Sequence, residues 1–471
     1  MVEPHKRIAD PVHGTISLSR FESQIIETRA FQRLRNVKQL GLAYLVYPGA
    51  DYSRFSHSLG ACHIAAEILD RLDRKLQLQF WGTSEKIKNM RLLRIAALLH
   101  DVGHYPFSHT MEHAIEQYYY EAWTHGGNSD ISTFKKPLDH ELVGKRIIEH
   151  DPEISTLLNN EGIDAKELSA IFRKEEGREA KLTNLVSADL DVDRLDYLQR
   201  TAHHTSLPYG NVDTRYLLSQ VRIDNEFRMA ISSKALRTAE HLLLGRYFDY
   251  MQVSFHKTVA AIEWLLSDVI HGLLAENLTK CSQQDVISLI ESGEWSQFDD
   301  TQLLNTIRIY EQSTADPIGK HKAHCLLNRK IPCLIAELEI VENRGYEDQF
   351  DDFKSTVEKR VAHWANEAGI DIKYWHVWHK KRSLTGVGSN TKDDPEFEEK
   401  AEKAVRIMDS ESQVSFPITD YRPSLMRILG NYELFALRVY VLIDELDDLK
   451  RQIRKELKRK IYEDFEDAAW K

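Results

Sequence analysis

The chain has 471 residues, 42% hydrophobic and 29% charged, which suffices for a substantial core and excludes wholesale disorder or a fibrous repeat. Its 62 basic and 73 acidic residues leave a net charge of −11, so the surface as a whole is not built for nucleic acid, and an anionic ligand needs a local basic pocket. No apolar run approaching a bilayer span stands out, and the start MVEPHKRIADP lacks the apolar stretch of a secretion signal; a cytoplasmic address without membrane association is the expectation.

In chain order, Leu59, Ile64, Ile68, Leu69 and Leu72 recur at helical spacing, then Ile87, Leu93 and Ala97, and later Leu236, Leu243 and Tyr247. Between these helices, Gln220 to Ile231 alternates around Asp224-Asn225, the pattern of a short β-hairpin. No strand–helix repeat is present, so the class is mainly α. A boundary near 330 divides a histidine-rich core, residues 1–330, from residues 331–471, expected to form a C-terminal helical lobe. Within the lobe, the polar stretch from about 378 to 395 has Gly, Ser, Asn and Pro without hydrophobic period and predicts an exposed loop. The charged tail from Leu442 to Lys471 reads as a solvated or packing face, with an oligomer contact as the sharper alternative. Cys62, Cys281, Cys325 and Cys333 form no CxxC pair and read as reduced core residues.

The chemistry centres on LLHDVGHYPFSH. His100 and Asp101 end an apolar helical run, Gly103 and Pro106 break it, and His104 and His109 follow. Imidazole nitrogen beside carboxylate oxygen suits manganese, iron, zinc or magnesium. A His-Asp doublet alone is weak: His150-Asp151 is another, and with Pro152 after it that pair reads as a turn. The first doublet has company, because RFSHSLG sets His57 at the start of one helix and DVDRLDY sets Asp193 near the start of another. Singly, each of these residues reads equally as a cap or a partner of the helix dipole. His109 and Glu112 stand three apart, on one helical face, where the carboxylate can orient the imidazole. Arg246 and Lys257, eleven apart, project from one stripe with Tyr250 if the helix is continuous; Asp193, Tyr197 and Thr201 form another.

Through IADPVHGTI, FQRLRNVKQLG, YPGADYSRFSHSLG, LLHDVGHYPFSH, DHELVG, DLDVDRLDY and FHKTV, in order from about residue 6 to about 260, the chain resembles the HD-domain deoxynucleoside triphosphate triphosphohydrolases. These include a vertebrate enzyme with an added SAM domain and bacterial relatives. The resemblance implies an HD-domain helical core and a divalent metal ion (Mn, Fe, Mg, Zn or Co) held by His57, His100, Asp101 and Asp193. It implies activation of water for attack at phosphorus, with a (deoxy)nucleoside triphosphate cleaved to nucleoside and inorganic triphosphate. His109 and Glu112 match a catalytic dyad, and His104 and His140 match histidines facing the phosphates. Arg54, Arg194, Arg246, His256 and Lys257 match phosphate-contacting groups. Gln39 and Leu40 match residues that contact the sugar, with Tyr197 beside them.

Two partners depart from the family pattern: Thr201 stands where Asp is usual and Ser254 where Tyr is usual, so weaker discrimination for deoxyribose is expected. Glu27 and Arg35 occupy positions that in regulated members read an activating guanine nucleotide at a subunit interface, with Glu in place of the usual Asp; an ordinary ion pair is the alternative. A homo-oligomer and a nucleotide activator are therefore among the expectations. The rival functions are another HD-class nucleotide phosphatase or phosphodiesterase, which would use the same metal site, and a nucleotide-sensing HD module, against which the complete ligand set stands.

Overall fold

The computed structural model of the chain describes residues 4–127, 133–171, 185, 191–384, 404–409, 414–444 and 447–465. The fold is mainly α. It opens on an antiparallel hairpin, β1 (Lys6–Asp10) and β2 (Gly14–Leu18), followed by α1 (Arg20–Glu27), whose start carries a reciprocal capping box between Ser19 and Glu22. The helices that build the core are α2 (Arg54–Arg74), α3 (Thr83–Leu99), α4 (His109–His125), α5 (His140–His150) and α6 (Val192–Thr205). Leu59, Ile64, Ile68, Leu69 and Leu72 are buried along α2 as their spacing implied; Ile87 is exposed, because the first turns of α3 stand clear of the body. Asp151 caps the next helix by accepting from the backbone N–H of Glu153 and Ile154, so the second His-Asp pair is a turn.

The expected hairpin forms as β3 (Val221–Ile223) and β4 (Met229–Ser232), with Asp224 accepting backbone N–H groups in the turn. After α7 (Leu236–Asp249), a single π-helical turn spans Tyr250–Ser254 and the chain restarts as α8 (Lys257–Ala275). By length and apolar composition α8 could cross a membrane, which corrects the reading that no such run exists. It is mostly buried against α4 and a later helix, α9 (Pro317–Leu327), as a core helix would be.

The C-terminal part is not a helical lobe. It contains β5 (Cys333–Asn343), α10 (Glu347–Ala368), β6 (Trp375–Ser383), the short strands β7 (Arg406–Met408) and β8 (Ser415–Pro417), β9 (Tyr432–Val441) and α11 (Asp447–Asp464). Three of these strands form an antiparallel sheet in the order β5-β9-β6, while β7 and β8 extend the β3-β4 sheet of the core. The central strand β9 is buried on both faces: Phe435, Leu437 and Val439 pack in a second hydrophobic cluster with Val357, Trp364, Leu457 and Ile461, and Ala436 and Tyr440 join the main core. A strand buried on both faces is a near-continuous apolar run and lacks the alternation that marks a strand in sequence.

The predicted loop at 378–395 is likewise corrected over its first part. Residues 378–383 belong to β6, which pairs with β9 from Trp375↔Val441 to Ser383↔Glu433; residues 385–395 lie outside the described residues. The strand is polar because it borders a charged cavity. All four cysteines are unpaired and buried, as expected.

Candidate active site

Three helices bring the four expected metal ligands together. His57 comes from the first turns of α2, His100 and Asp101 from the end of α3, and Asp193 from the first turn of α6. His57 Nε2 lies 2.9 Å from Asp193 Oδ1, 3.2 Å from His100 Nε2 and 3.7 Å from Asp101 Oδ2. His100 Nε2 lies 3.4 Å from Asp101 Oδ1 and 3.8 Å from Asp193 Oδ1. The outer nitrogens are already assigned: His57 Nδ1 donates to Asp196 Oδ2 at 2.7 Å, and His100 Nδ1 donates to the Ala97 carbonyl at 2.9 Å. With those protons outward, two imidazole lone pairs and two carboxylates face one point. That arrangement repels itself unless a positive charge sits there. The protonation of His57 shows the same demand: burial opposes its charging, yet hydrogen bonds to Asp193 and Asp196 outweigh burial and push the imidazole up to about 10. These residues fit a divalent cation.

A second ring of bonds fixes the ligands. Asp196 also accepts from His13 Nε2 at 2.6 Å and from Arg200 Nε at 2.8 Å, and Arg200 reaches Asp10 at 2.8 Å. A Cβ on Gly60 would collide with the Asp196 carboxylate, so α2 and α6 can approach this closely only at a glycine. Asp10, His13, Asp196 and Arg200 were not singled out in the sequence; the visible signal was Asp196 and Arg200 four apart on α6. Arg54 NH1 donates to Asp101 Oδ2 at 2.6 Å and Arg54 Nε to Ser108 Oγ at 2.9 Å, so this arginine orients a ligand carboxylate.

Beside the cluster stand three histidines around one carboxylate. His104 stacks on His140 with centroids 4.0 Å apart, and His109 meets both edge-on. Glu112 Oε2 lies 3.4 Å from His109 Nδ1 and 2.9 Å from His140 Nδ1. The pairing read along one helix turn is present, but the shorter bond runs to His140 on α5. The close approach of α5 depends on Gly103, where a Cβ would strike the backbone at His140 and Gly144. Burial would raise the Glu112 pKa, but its bonds to His109 and His140 prevail and hold the carboxyl well below its usual range. Burial lowers the His140 pKa, and the Glu112 bond more than reverses this, so it sits above its ordinary value. His104 is held well below its ordinary value, by burial first and then by Arg54 and His140. His109 is aimed by a tight turn in which Phe107 and Ser108 take positive φ angles of 52° and 58°. Asp300 clamps that turn by accepting from the backbone N–H of Phe107 at 2.8 Å and of Lys38 at 3.0 Å.

His100, Asp101 and Asp193 of the cluster and His104, His109 and His140 beside it open into a cavity of about 1250 Å³. Of the expected substrate contacts, Gln39, Leu40, Arg54, Arg194, Tyr197 and Arg246 line it, as does Ser254. Gln39 Oε1 and the Tyr197 hydroxyl are buried there with no hydrogen-bond partner among the described residues. The other expected substrate and nucleotide contacts lie off its wall. Lys257 is exposed and off the cavity wall, and His256 caps α8 by accepting from the Thr258 N–H at 3.2 Å. The eleven-residue arithmetic fails because the π turn and the restart of α8 reset the helical phase. Thr201 is buried and bonded to the Tyr52 hydroxyl at 2.7 Å, away from the cavity. Glu27 pairs with Lys6 at 3.1 Å, while Arg35 donates to Gln32 at 2.8 Å and lies over Phe55, so these two do not form an ion pair with one another; neither borders the cavity.

Among the wall residues that sequence reasoning missed are Asp249, Glu263, Lys380 and Arg382. Asp249 accepts from Tyr209 OH at 2.6 Å, and burial pushes it up to about 6. Glu263 accepts from Thr110 Oγ1 at 3.1 Å, and burial pushes it up to about 7.

The two pairs of His and Asp are contributed by helices crossing at a buried carboxylate, and the segment that carries them, residues 54–201, matches the HD domain family model. It is similar to the uncharacterized protein MJ1154 of Methanocaldococcus jannaschii, with 31% identity over 330 residues covering 68% of this chain and 58% of that one. It is also similar to the deoxynucleoside triphosphate triphosphohydrolase SAMHD1 of Homo sapiens, with 31% identity over 285 residues covering 57% of this chain and 44% of the human protein. The chain thus spans about half the length of these curated relatives. A solved structure of a hypothetical protein from Aquifex aeolicus shares the fold, at TM-score 0.69 and 23% identity, covering 97% of this chain and 99% of that one.

Proposed function

We propose that this chain is a metal-dependent phosphohydrolase that cleaves (deoxy)nucleoside triphosphates to nucleoside and inorganic triphosphate. The observation that carries the reading is one cavity lined both by His100, Asp101 and Asp193, which stand against buried His57, and by Arg194 and Arg246. The similarity to human SAMHD1, a named deoxynucleoside triphosphate triphosphohydrolase, supports the substrate class. A divalent cation held by the four ligands supplies Lewis acidity and lowers the pKa of water.

The chain's own groups do the rest. Arg54 keeps Asp101 ionised and turned toward the cluster. Arg194 and Arg246 neutralise phosphate oxygens, and Gln39 and Tyr197 present polar atoms to the sugar. Water adds to the α-phosphorus as the bond to the nucleoside 5′-oxygen breaks; that oxygen takes a proton from His109, which lines the cavity and is oriented by Glu112, and the proton given up by the attacking water passes to solvent, from which the imidazole is recharged. His140 shares the same carboxylate, whose charge holds the imidazole pKa above its ordinary value against the effect of burial. With Ser254 on the cavity wall in place of a tyrosine, the site lacks a ring to crowd the sugar, so discrimination between deoxy- and ribonucleotides is weak.

Purified protein incubated with Mn²⁺ or Mg²⁺ and each dNTP and NTP tests the proposal, with products resolved chromatographically. Nucleoside plus inorganic triphosphate supports it; monophosphate plus pyrophosphate, or no turnover, rejects it. Self-association, activation by a second nucleotide through Glu27 and Arg35, and a cytoplasmic location complete the proposal. Sedimentation with and without nucleotide tests the first two.

A further inference from the structure

A triphosphate chain carries three to four negative charges, and the wall that would receive it has lost expected cations. Arg54 is bonded to Asp101 and Ser108, while His256 and Lys257 lie off the cavity. The replacement comes from more than a hundred residues away. Strand β6 pairs with β9 so that His376, Trp378, Lys380 and Arg382 share the face that also carries Tyr440, Arg438 and Ala436. That face looks toward the core: His376 stacks on Trp264 of α8, Trp378 meets Phe255, and the Arg382 guanidinium lies 3.5 Å from the centroid of Tyr250. Arg246 approaches the same ring at 5.8 Å.

The electrostatics follow from that crowding. Burial raises the Tyr250 pKa, yet Arg382, Arg246 and Arg194 together bring the phenol below its ordinary range. Gathering three guanidinium groups round one half-buried phenol is costly in a low-dielectric wall unless an anion joins them. A guanidinium stacked on an aromatic face presents N–H donors along its edge, in a fork that matches phosphate oxygens.

We propose that Arg382, delivered by the C-terminal sheet, completes with Arg194 and Arg246 a cradle for the terminal phosphate and makes the site selective for three phosphates over two. This deepens the proposed function, resting on it for the nucleotide but not for the anion. The sheet then has a role beyond covering the core: it inserts a cation that the HD domain, residues 54–201, does not contain.

The test is calorimetric titration of inorganic triphosphate and pyrophosphate into the purified full chain and into Arg382→Ala and Arg382→Lys. The expected result is a loss of about tenfold or more in triphosphate affinity for Arg382→Ala, a smaller loss for Arg382→Lys, and little change for pyrophosphate, since a charged fork contact is worth ~1.5–3 kcal/mol. Equal losses for the two anions, or none, overturn the inference. Arg382→Gln, which keeps the length and hydrogen bonding of the side chain without its charge, gives the same reading if the alanine variant does not fold. The titration needs no turnover, so failure of the protein to hydrolyse dNTPs would reject the nucleotide reading while leaving this result to stand or fall by itself. Where turnover is present, Arg382→Ala should raise KM for a dNTP far more than it lowers kcat.

Discussion

The metal cluster and the phosphate wall face each other across one cavity and are held in different ways. Three of the four expected metal ligands are fixed by a bond to a further partner: His57 by Asp196, His100 by the Ala97 carbonyl, Asp101 by Arg54. The wall is assembled from α7, the π turn and β6, and its cations meet mainly at the ring of Tyr250. A site fixed by interlocked buried bonds fails as a unit when one member is removed, whereas a wall of separate charges loses function in increments.

The sharpest break in that contrast is removal of a ligand. Asp101→Ala or His57→Ala should abolish turnover and lower bound transition metal, measured by elemental analysis, while the chain stays folded by circular dichroism; full activity in either would remove the metal-site assignment. Asp196→Ala should come next and should cost stability as well, because it leaves Arg200 and His13 without their shared buried acceptor. A loss of ~3–5 kcal/mol in urea unfolding is expected from breaking such a pair, along with a 10–100-fold (roughly) fall in metal affinity from loss of the group orienting His57.

The histidine group lies between the two regimes. His109→Ala and Glu112→Ala should each cut kcat with little change in metal content, and the double variant should be scarcely slower than the worse single, since groups acting as one unit are non-additive. The pH profile sharpens this. Glu112 raises the His140 pKa above its ordinary value, so the protonated form persists to higher pH and is lost as pH rises through that raised pKa. Glu112→Gln removes the charge and should move the alkaline limb of kcat to lower pH; a limb that stays in place would show that His140 does not govern it.

The smallest effect concerns the sugar. Ser254 borders the cavity and Thr201 does not. Ser254→Tyr should therefore sharpen the ratio of kcat/KM for a dNTP over its NTP, by ~1–3 kcal/mol if the ring reaches the ribose. Thr201→Asp alone should leave that ratio unchanged and lower the melting temperature, because its carboxylate would be buried against Tyr52.

Much of the metal centre was readable along the chain. His100 and Asp101 are adjacent, His57 and Asp193 sit in the first turns of helices, and His109 and Glu112 share a helical face, all consequences of local geometry. The hairpin at β3 and β4 was legible for the same reason, since alternation around Asp224 is a local pattern. What escaped was long-range or phase-breaking. Asp196 and Arg200 gain meaning only when α6 crosses α2 at Gly60, and the shorter Glu112 bond to His140 needs α5 to close on Gly103.

Helical phase, alternation and adjacency are properties of neighbours, so the sequence by itself specified the α class, the His100-Asp101 pair and the turn at His150-Asp151, while the grouping of His57 and Asp193 with that pair came from the family resemblance. The cavity wall was decided by the tertiary fold. A π turn shifts the helical phase between Arg246 and Lys257 and sends the lysine outward, and β9, apolar on both faces, has no period to announce the sheet that carries Arg382 inward. Side-chain direction along one helix follows from residue spacing, but which cation meets which anion across a cavity depends on strand register and helix crossing, and these exist only once distant segments have packed.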